Sequence, residues 1–302
     1  MWLGQFFKNV NNCTFNGVNL SDSNIKYINV YEKNTTNIGD LSCAPSMYFE
    51  DLNKFGVSIG VMDLNESISV RNKIFIVGGG GGLFQKYFNE KIDNLMRLSK
   101  YNTIIFWGCG LDNRIGDSFI YPCLRKNIIF GVRDFGTVGC FVPCASCMSK
   151  LFDRYRDGKI IDNFRVYLHS DYSNKIRDDL KNFSTMENKS VSSLNETLEF
   201  LGGGEYIITN SYHGIYWSIL LNKKVIVLPW VDEERKLIGF PYKFTSMKYD
   251  VVLCKNWKNF ENYTSCAKNY PDALFECREL NLKFYNEYID KSYAKGMKTK
   301  KW

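Results

Sequence analysis

Two apolar, β-rich runs in the first half of the chain end the same way. KIFIVGGGGGLF (73–84) breaks into five consecutive glycines, and NTIIFWGCGLDNR (102–114) breaks into Gly-Cys-Gly. A third run, NIIFGVRDFGT (127–137), carries Arg133 and Asp134 at its end. Between the first two lies a helical stretch, expected from Gln85 to about Tyr101, with Phe88, Ile92, Leu95, Met96 and Ser99 on one face. A strand that stops in a glycine turn and hands over to a helix returns to start its next strand alongside the first. The pattern predicts an α/β fold with a parallel, doubly wound sheet.

The same grammar sets the remaining elements. IKYINVY (25–31) reads as a first buried strand and EKNTTNIGD (32–40) as a loop. Residues 41–52 read as helical, and VSIGVMD (57–63) as a further strand. The alternation then restarts. FRVYLHSDYS (164–173) is the first strand of a second unit, and Ser193 with Glu196 forms a capping box before a helix bearing Leu194, Leu198 and Leu201. EYIITNS, YHGIYWSILLN and KKVIVLPW follow as strand, helix and strand. A last helix, about 272–290, places Leu274, Cys277, Leu280, Phe284 and Tyr288 on one stripe. The charged, aperiodic segment 150–163 separates the two units. At 302 residues the chain fits two domains. The expectation is therefore two Rossmann-like domains, residues 1–155 and 156–302, facing a central cleft lined by the carboxyl ends of both sheets, where ligands bind.

Composition narrows the class. No stretch reaches the roughly 18 to 20 uninterrupted apolar residues of a membrane span, and the start, MWLGQFFKNVNNC, has no basic leader or long apolar region. A cytoplasmic chain is expected, with its ten cysteines as reduced thiols. Cys140, Cys144 and Cys147 have the spacing of an iron–sulfur site in radical enzymes, but they lie mid-chain after several strands, and no histidine or fourth cysteine is close in sequence. No metal is expected there. The net charge of +7 owes much to the C-terminal KSYAKGMKTKKW, which is either a solvated end or a peripheral contact with an anionic inner membrane face. No nucleic-acid partner is expected.

Candidate site residues follow from position. Gly78 to Gly82 sit between a strand and a helix, where bare backbone N–H groups can approach a phosphate or carboxylate; Gly79, Gly80 and Gly81 are the candidates. The same glycines would also suit a tight strand–helix crossing. The run is not the usual dinucleotide pattern, so NAD is disfavoured. Asn37-Ile38-Gly39-Asp40 follows the first strand, with Asn37 and Asp40 as candidates, although such residues also make ordinary turns. Arg133 ends a buried strand, a costly place for a charge unless it is paired or faces the cleft. In TNSYHG the apolar strand ends at Ile208 and the apolar helix begins near Ile215, so His213 falls in the strand-to-helix turn. Its ordinary pKa near 6.5 suits proton transfer or a hydrogen bond to an anion. His169, at the end of the first strand of that unit, is a further candidate.

Taken in order, NIGD, FIVGGGGGLF, FWGCGLD, GVRD and TNSYHGIYWSILLNKKVIVLP, spanning residues 37 to 229, resemble the polysaccharide pyruvyl transferase family. The resemblance implies a two-domain architecture similar to GT-B glycosyltransferases, with the acceptor on the N-terminal side and the donor on the C-terminal side. It implies transfer of enolpyruvate from phosphoenolpyruvate to hydroxyls of a surface or capsular glycan, or its lipid-linked precursor, as a cyclic ketal. No cofactor is implied, neither a nicotinamide nor a structural metal. Arg133 would hold the donor's phosphate or carboxylate. His213 would bind the same anion or deliver a proton as the enol carbon becomes a methyl group. Asp40 would be a base or an acceptor-binding group. Ser211, Tyr212 and Gly214 complete the donor-binding motif.

The chain departs from part of the family at that motif. Some members read Ser-Arg-Leu-His-Gly, whereas Asn210-Ser211-Tyr212-His213-Gly214 places serine where that arginine would be and looks like the branch reading Asp-Ser-Phe-His-Gly. Lys223, Lys224 and Arg235 are the cations near enough in sequence to be considered as replacements. Two rival functions stay open at this point. One is a glycosyltransferase of the same architecture using a nucleotide sugar; the other is a glycan-binding module without turnover.

Overall fold

A computed structural model of the chain describes residues 13–80, 88–110, 126–190, 193–232, 234 and 236–290. Gly81, Arg235 and the basic C-terminus lie outside the described residues. Two parallel sheets organise the chain, as the strand–helix alternation predicts, and the α/β class is Rossmann-like.

The first sheet holds β1 (Tyr27–Tyr31), β2 (Gly56–Gly60), β3 (Ile74–Gly78), β4 (Thr103–Cys109), β5 (Ile128–Val132) and the short β6 (Cys140–Phe141). Its order is β2-β1-β3-β4-β5-β6, parallel throughout. The strands form because their residues are apolar on both faces, as a sheet covered on both sides requires. In register across the sheet, Val30 pairs with Val77, Val77 with Phe106, and Phe106 with Phe130. This row packs under α3 (Asn89–Leu98), which buries Ile92, Leu95 and Leu98. The alternate residues Ile76, Ile105 and Trp107 face the other way, onto Phe49 and Phe284.

Before β2 the chain makes α1 (Ile38–Leu41) and α2 (Glu50–Lys54). The single helix expected over 41–52 does not form. Pro45 opens a separate 3-10 turn, Pro45–Met47, and leaves Ala44 extended at φ −70°, ψ 123°. The residue before a proline is sterically pushed out of the helical region, so the helix breaks there. Likewise the strand expected to Asp63 ends at Gly60, and Val61–Asp63 is a 3-10 turn.

After α4 (Leu151–Tyr155) the second sheet begins. It holds β7 (Asp162–Leu168), β8 (Ser184–Glu187), β9 (Gly204–Thr209), β10 (Lys224–Val227) and β11 (Val252–Leu253), in the parallel order β8-β7-β9-β10-β11. The helices are α5 (Asn174–Asp179), α6 (Leu194–Gly202), α7 (Tyr212–Leu220) and α8 (Tyr242–Thr245). Ser193 caps α6 by accepting from the Glu196 amide, as the sequence predicts. All nine residues of α7 are buried. It is a core helix, apolar nearly all round, and so shows little amphipathic periodicity.

Both sheets share one topological feature. Each first strand is flanked by its second and third, so the chain leaves in opposite directions on the two sides of β1 and of β7. The crevice at such a switch point lies outside the carboxyl ends of the two diverging strands. In the first sheet those ends release residues 32–41 and Gly79; in the second they release His169 and Asn210 to His213.

The last helix, α9 (Ala273–Tyr285), continues into a wider π turn, Asn286–Asp290. Leu274 and Cys277 join the core of α6 and α7, while Phe284 and Ile289 join the core under Trp107. At its centre is Asn281, fully buried, which the apolar stripe read from sequence passes over. Its Oδ1 accepts from Trp107 Nε1 at 2.7 Å, and its Nδ2 donates to Cys277 O at 3.0 Å. Among the described residues no helix is long and apolar enough to cross a membrane.

Asn281→Ala leaves the Trp107 indole N–H buried without an acceptor, a loss of about 1–3 kcal/mol. Urea unfolding should show that loss as a lower midpoint. Leu282→Ala, one residue on and 44% exposed, should stay within about 0.5 kcal/mol of the parent.

Candidate active site

The two switch points meet. A Cβ built on Gly39 would lie 2.1 Å from His213 Nδ1, 2.7 Å from its Cγ and 2.9 Å from its Cε1, so the imidazole rests directly on the backbone of α1. A second tie is the Ile38 amide, which donates to Asn188 O, just beyond β8, at 3.1 Å. Asn37 builds the α1 end of the site: its Oδ1 accepts from the Gly39 amide at 3.1 Å and its Nδ2 donates to Asp40 Oδ2 at 2.9 Å. Asp40 is half-buried, and a Cβ on Gly80 would sit 3.2 Å from its Oδ1. Gly79 is the tight crossing: a Cβ there would lie 2.0 Å from Gly108 O.

Arg133 leaves the end of β5 and is 2% exposed. Its guanidinium carbon lies 3.5 Å from the centroid of the Tyr212 ring, and a Cβ on Gly110 would come within 2.3 Å of its Nε. Nε, Nη1 and Nη2 have no hydrogen-bond partner among the described residues. Asp134, the adjacent carboxylate, accepts from Ser246 Oγ at 3.0 Å. A structural ion pair is the common reason for an arginine at a strand end, but the open nitrogens do not fit it. A planar fork of donors held dry over an aromatic face is suited to take a carboxylate or phosphate two bonds at a time.

His213 is the second residue of α7 and is 5% exposed. Burial, then the positive charges of Arg133 and Lys243 and the neighbouring His169, hold its pKa well below the usual histidine value. It rests as neutral imidazole. Its Nε2 is 3.7 Å from Cys144 Sγ. Ser211 caps the helix, its Oγ accepting from the Gly214 amide at 3.4 Å. Gly214 is where the helix presses on the sheet, since a Cβ there would lie 2.4 Å from Thr209 Oγ1 and 2.6 Å from Tyr167 Cδ1. Beside it, Asn210 ties the turn to the end of β7: its Oδ1 accepts from the His169 amide at 2.8 Å, and its Nδ2 donates to Tyr172 O at 3.0 Å.

The second cation near His213, after Arg133, is neither of the two lysines picked out from sequence. Lys223 is buried at the far end of α7, near Asp157, and Lys224 pairs with Glu205 at 2.9 Å. Lys243, in α8, is 6% exposed with its Nζ 4.3 Å from the centroid of the Trp230 ring. It sits in a short, aperiodic segment with no motif to mark it. The three closely spaced cysteines have separate neighbours: Cys140 meets Tyr288 Oη, Cys144 meets His213, and Cys147 meets Asn281 Nδ2.

Two outcomes are expected. Because the fold holds His213 neutral, the unfolded chain takes up its proton first as pH falls below about 6.5. Stability therefore falls from that pH downwards, by up to about 1.4 kcal/mol per pH unit, until the folded pKa is reached. Urea unfolding between pH 7 and pH 5 should show His213→Gln lacking that share of the slope. Separately, Gly39→Ala should displace the imidazole and reduce activity about as far as His213→Ala does, with far-UV circular dichroism unchanged.

No curated protein matches the chain. Among solved structures, a functionally uncharacterised protein from Klebsiella pneumoniae subsp. pneumoniae NTUH-K2044 is 15% identical, over 77% of this chain and 94% of that chain, with a TM-score of 0.44. That likeness is too distant to bear on the site. The family model for polysaccharide pyruvyl transferase matches residues 14–233, from the first described residues through α1, Arg133 and His213 to the strand that follows α7. The chain belongs to the polysaccharide pyruvyl transferase family, and it is a transferase.

Proposed function

We propose that the chain transfers a pyruvyl group from phosphoenolpyruvate to two hydroxyls of a sugar in a surface or capsular glycan or its lipid-linked precursor, closing a cyclic ketal. The observation that carries the reading is the buried guanidinium of Arg133, its nitrogens without a hydrogen-bond partner among the described residues, beside a neutral His213. Phosphoenolpyruvate offers two anionic groups on a three-carbon unit, and Arg133 suits either. In this reading Asp40 takes the proton of an attacking hydroxyl as its oxygen bonds to C2. His213 gives a proton to C3, which becomes the methyl group. Phosphate then leaves with the C2–O electron pair, and the second hydroxyl adds to the resulting C2 cation, its proton passing to the departed phosphate.

The electrostatics suit the order of events. A cation beside His213 disfavours the imidazolium, and an anion bound to Arg133 offsets that charge and raises the histidine's pKa. The proton donor would thus be armed by its own substrate. In the same reading the two parallel sheets are the GT-B-like halves, divided near residue 155, with the acceptor on the first and the donor against Tyr212, His213 and Arg133.

The test is phosphate release from phosphoenolpyruvate with sugar acceptors, beside thermal unfolding with phosphoenolpyruvate or nucleotide sugars. A ligand at 100 times its Kd stabilises the fold by about 2.7 kcal/mol. Phosphoenolpyruvate should raise the Tm of the parent and not of Arg133→Met. His213→Ala should lower kcat by about 10² to 10⁴, and His213→Gln should keep donor binding without turnover. Stabilisation by nucleotide sugars alone would overturn the proposal in favour of glycosyl transfer.

A further inference from the structure

The mechanism above has His213 give a proton, and the groups behind the ring decide which nitrogen carries the proton of the resting, neutral imidazole. Cys144 begins the 3-10 turn Ala145–Met148 and is fully buried. Three residues of α7 hold this turn. Tyr216 Oη donates to Cys144 O at 3.0 Å, Trp217 Nε1 donates to Ser146 Oγ at 2.9 Å, and His213 Nε2 faces Cys144 Sγ at 3.7 Å. Ser146 Oγ in turn lies 3.3 Å from Cys144 Sγ, as donor.

The direction of this chain of hydrogen bonds follows from its first member. An indole N–H can only donate, so the Ser146 hydroxyl accepts from Trp217 and has its single proton left for the sulfur. A thiol has one proton and weak acceptor capacity. With its sulfur accepting from Ser146, the Cys144 proton is directed to its remaining partner, His213 Nε2. With the thiol proton directed there, Nε2 is the acceptor of the contact. A neutral imidazole that accepts at one nitrogen carries its proton on the other.

We infer that Cys144 is a positioning residue which, through the relay Trp217–Ser146–Cys144, fixes His213 as the Nδ1–H tautomer and presents that proton on the side of α1. The Nδ1 edge is the one that rests on Gly39, next to Asp40 and Gly80. The buried thiol, its pKa pushed up by desolvation, keeps its proton. The field of Arg133 opposes an imidazolium. Cys144 and His213 are thus a neutral pair, not a thiolate–imidazolium nucleophile. The chemical use of the proton rests on the pyruvyl-transfer reading; the tautomer itself does not.

The chain has two histidines, so ring-15N NMR of the full-length protein resolves both, with His213→Gln assigning the spectrum. At pH 7.5 without ligand, His213 should show a protonated Nδ1 and an unprotonated Nε2. Protonation at Nε2, or at both nitrogens, would overturn the inference. Cys144→Ser keeps a donor and should keep the pattern, whereas Cys144→Ala should give Nε2–H or an exchanging mixture. An unchanged Nδ1–H spectrum in folded Cys144→Ala would remove Cys144 from the role. If that variant does not fold, the parent spectrum still decides the tautomer. With phosphoenolpyruvate and acceptor, kcat should fall tenfold or more in Cys144→Ala, be restored towards the parent in Cys144→Ser, and KM should change little. A correct tautomer in a parent that does not release phosphate would sink the pyruvyl-transfer reading and leave the relay standing.

Discussion

The site is organised around one unfavourable act, the burial of the Arg133 guanidinium with no hydrogen-bond partner among the described residues. Removing a cation from water costs several kcal/mol even after relaxation. The Tyr212 ring beneath it returns about 2 kcal/mol or somewhat more in a dry setting, which leaves a deficit. The carboxylates of Asp134 and Asp40 act on the charge through space and offset part of it, but neither is a hydrogen-bond partner of the guanidinium among the described residues. The deficit is held in place by elements that are stable for other reasons: the end of a buried strand, a turn that lets Gly110 lie against the side chain, and a core helix that cannot withdraw Tyr212. In the proposed reading an anion with two oxygens would remove it, and fold stability and ligand binding would thereby be linked.

Everything nearby is tuned by that charge. After desolvation, it is the largest influence keeping His213 neutral, while on Cys144 it favours the thiolate that desolvation opposes. Lys243 reinforces the field from the other side. Serine stands at position 211, and the second positive charge acting on His213 among the described residues is that of Lys243 in α8.

Much of this was legible in the residue order. Apolar runs ending in glycine specify strands of a parallel sheet wherever they are long and β-branched, and a serine three residues before a glutamate marks the start of α6. The helix breaks were less visible. Pro45 interrupts a run whose apolar spacing alone favours a helix, and the steric rule for the residue before proline prevails over periodicity. Arg133 and His213 stand out because a strand end and a strand-to-helix turn are unusual places for them. Lys243, Cys144 and Asn281 do not. Each becomes important only through a partner far away in the chain, a tryptophan ring, an imidazole or an indole N–H, and no local pattern encodes such a meeting. Gly79 and Gly214 reveal the reverse limitation. Their place in a motif suggests ligand contact, while their geometry is that of close packing against Gly108 and Thr209.

The contact between Gly39 and the His213 ring also bears on how such a sequence can change over time. With the histidine in place, residue 39 has no room for even a methyl group, although α1 itself would tolerate many side chains. Should the histidine be replaced by something smaller, that restriction lifts and substitutions at 39 become neutral. Once one has been accepted, histidine cannot return at 213 without first restoring glycine. Loss of the imidazole therefore becomes hard to reverse once residue 39 has changed, and a side chain at 39 in a descendant marks that the histidine had already gone.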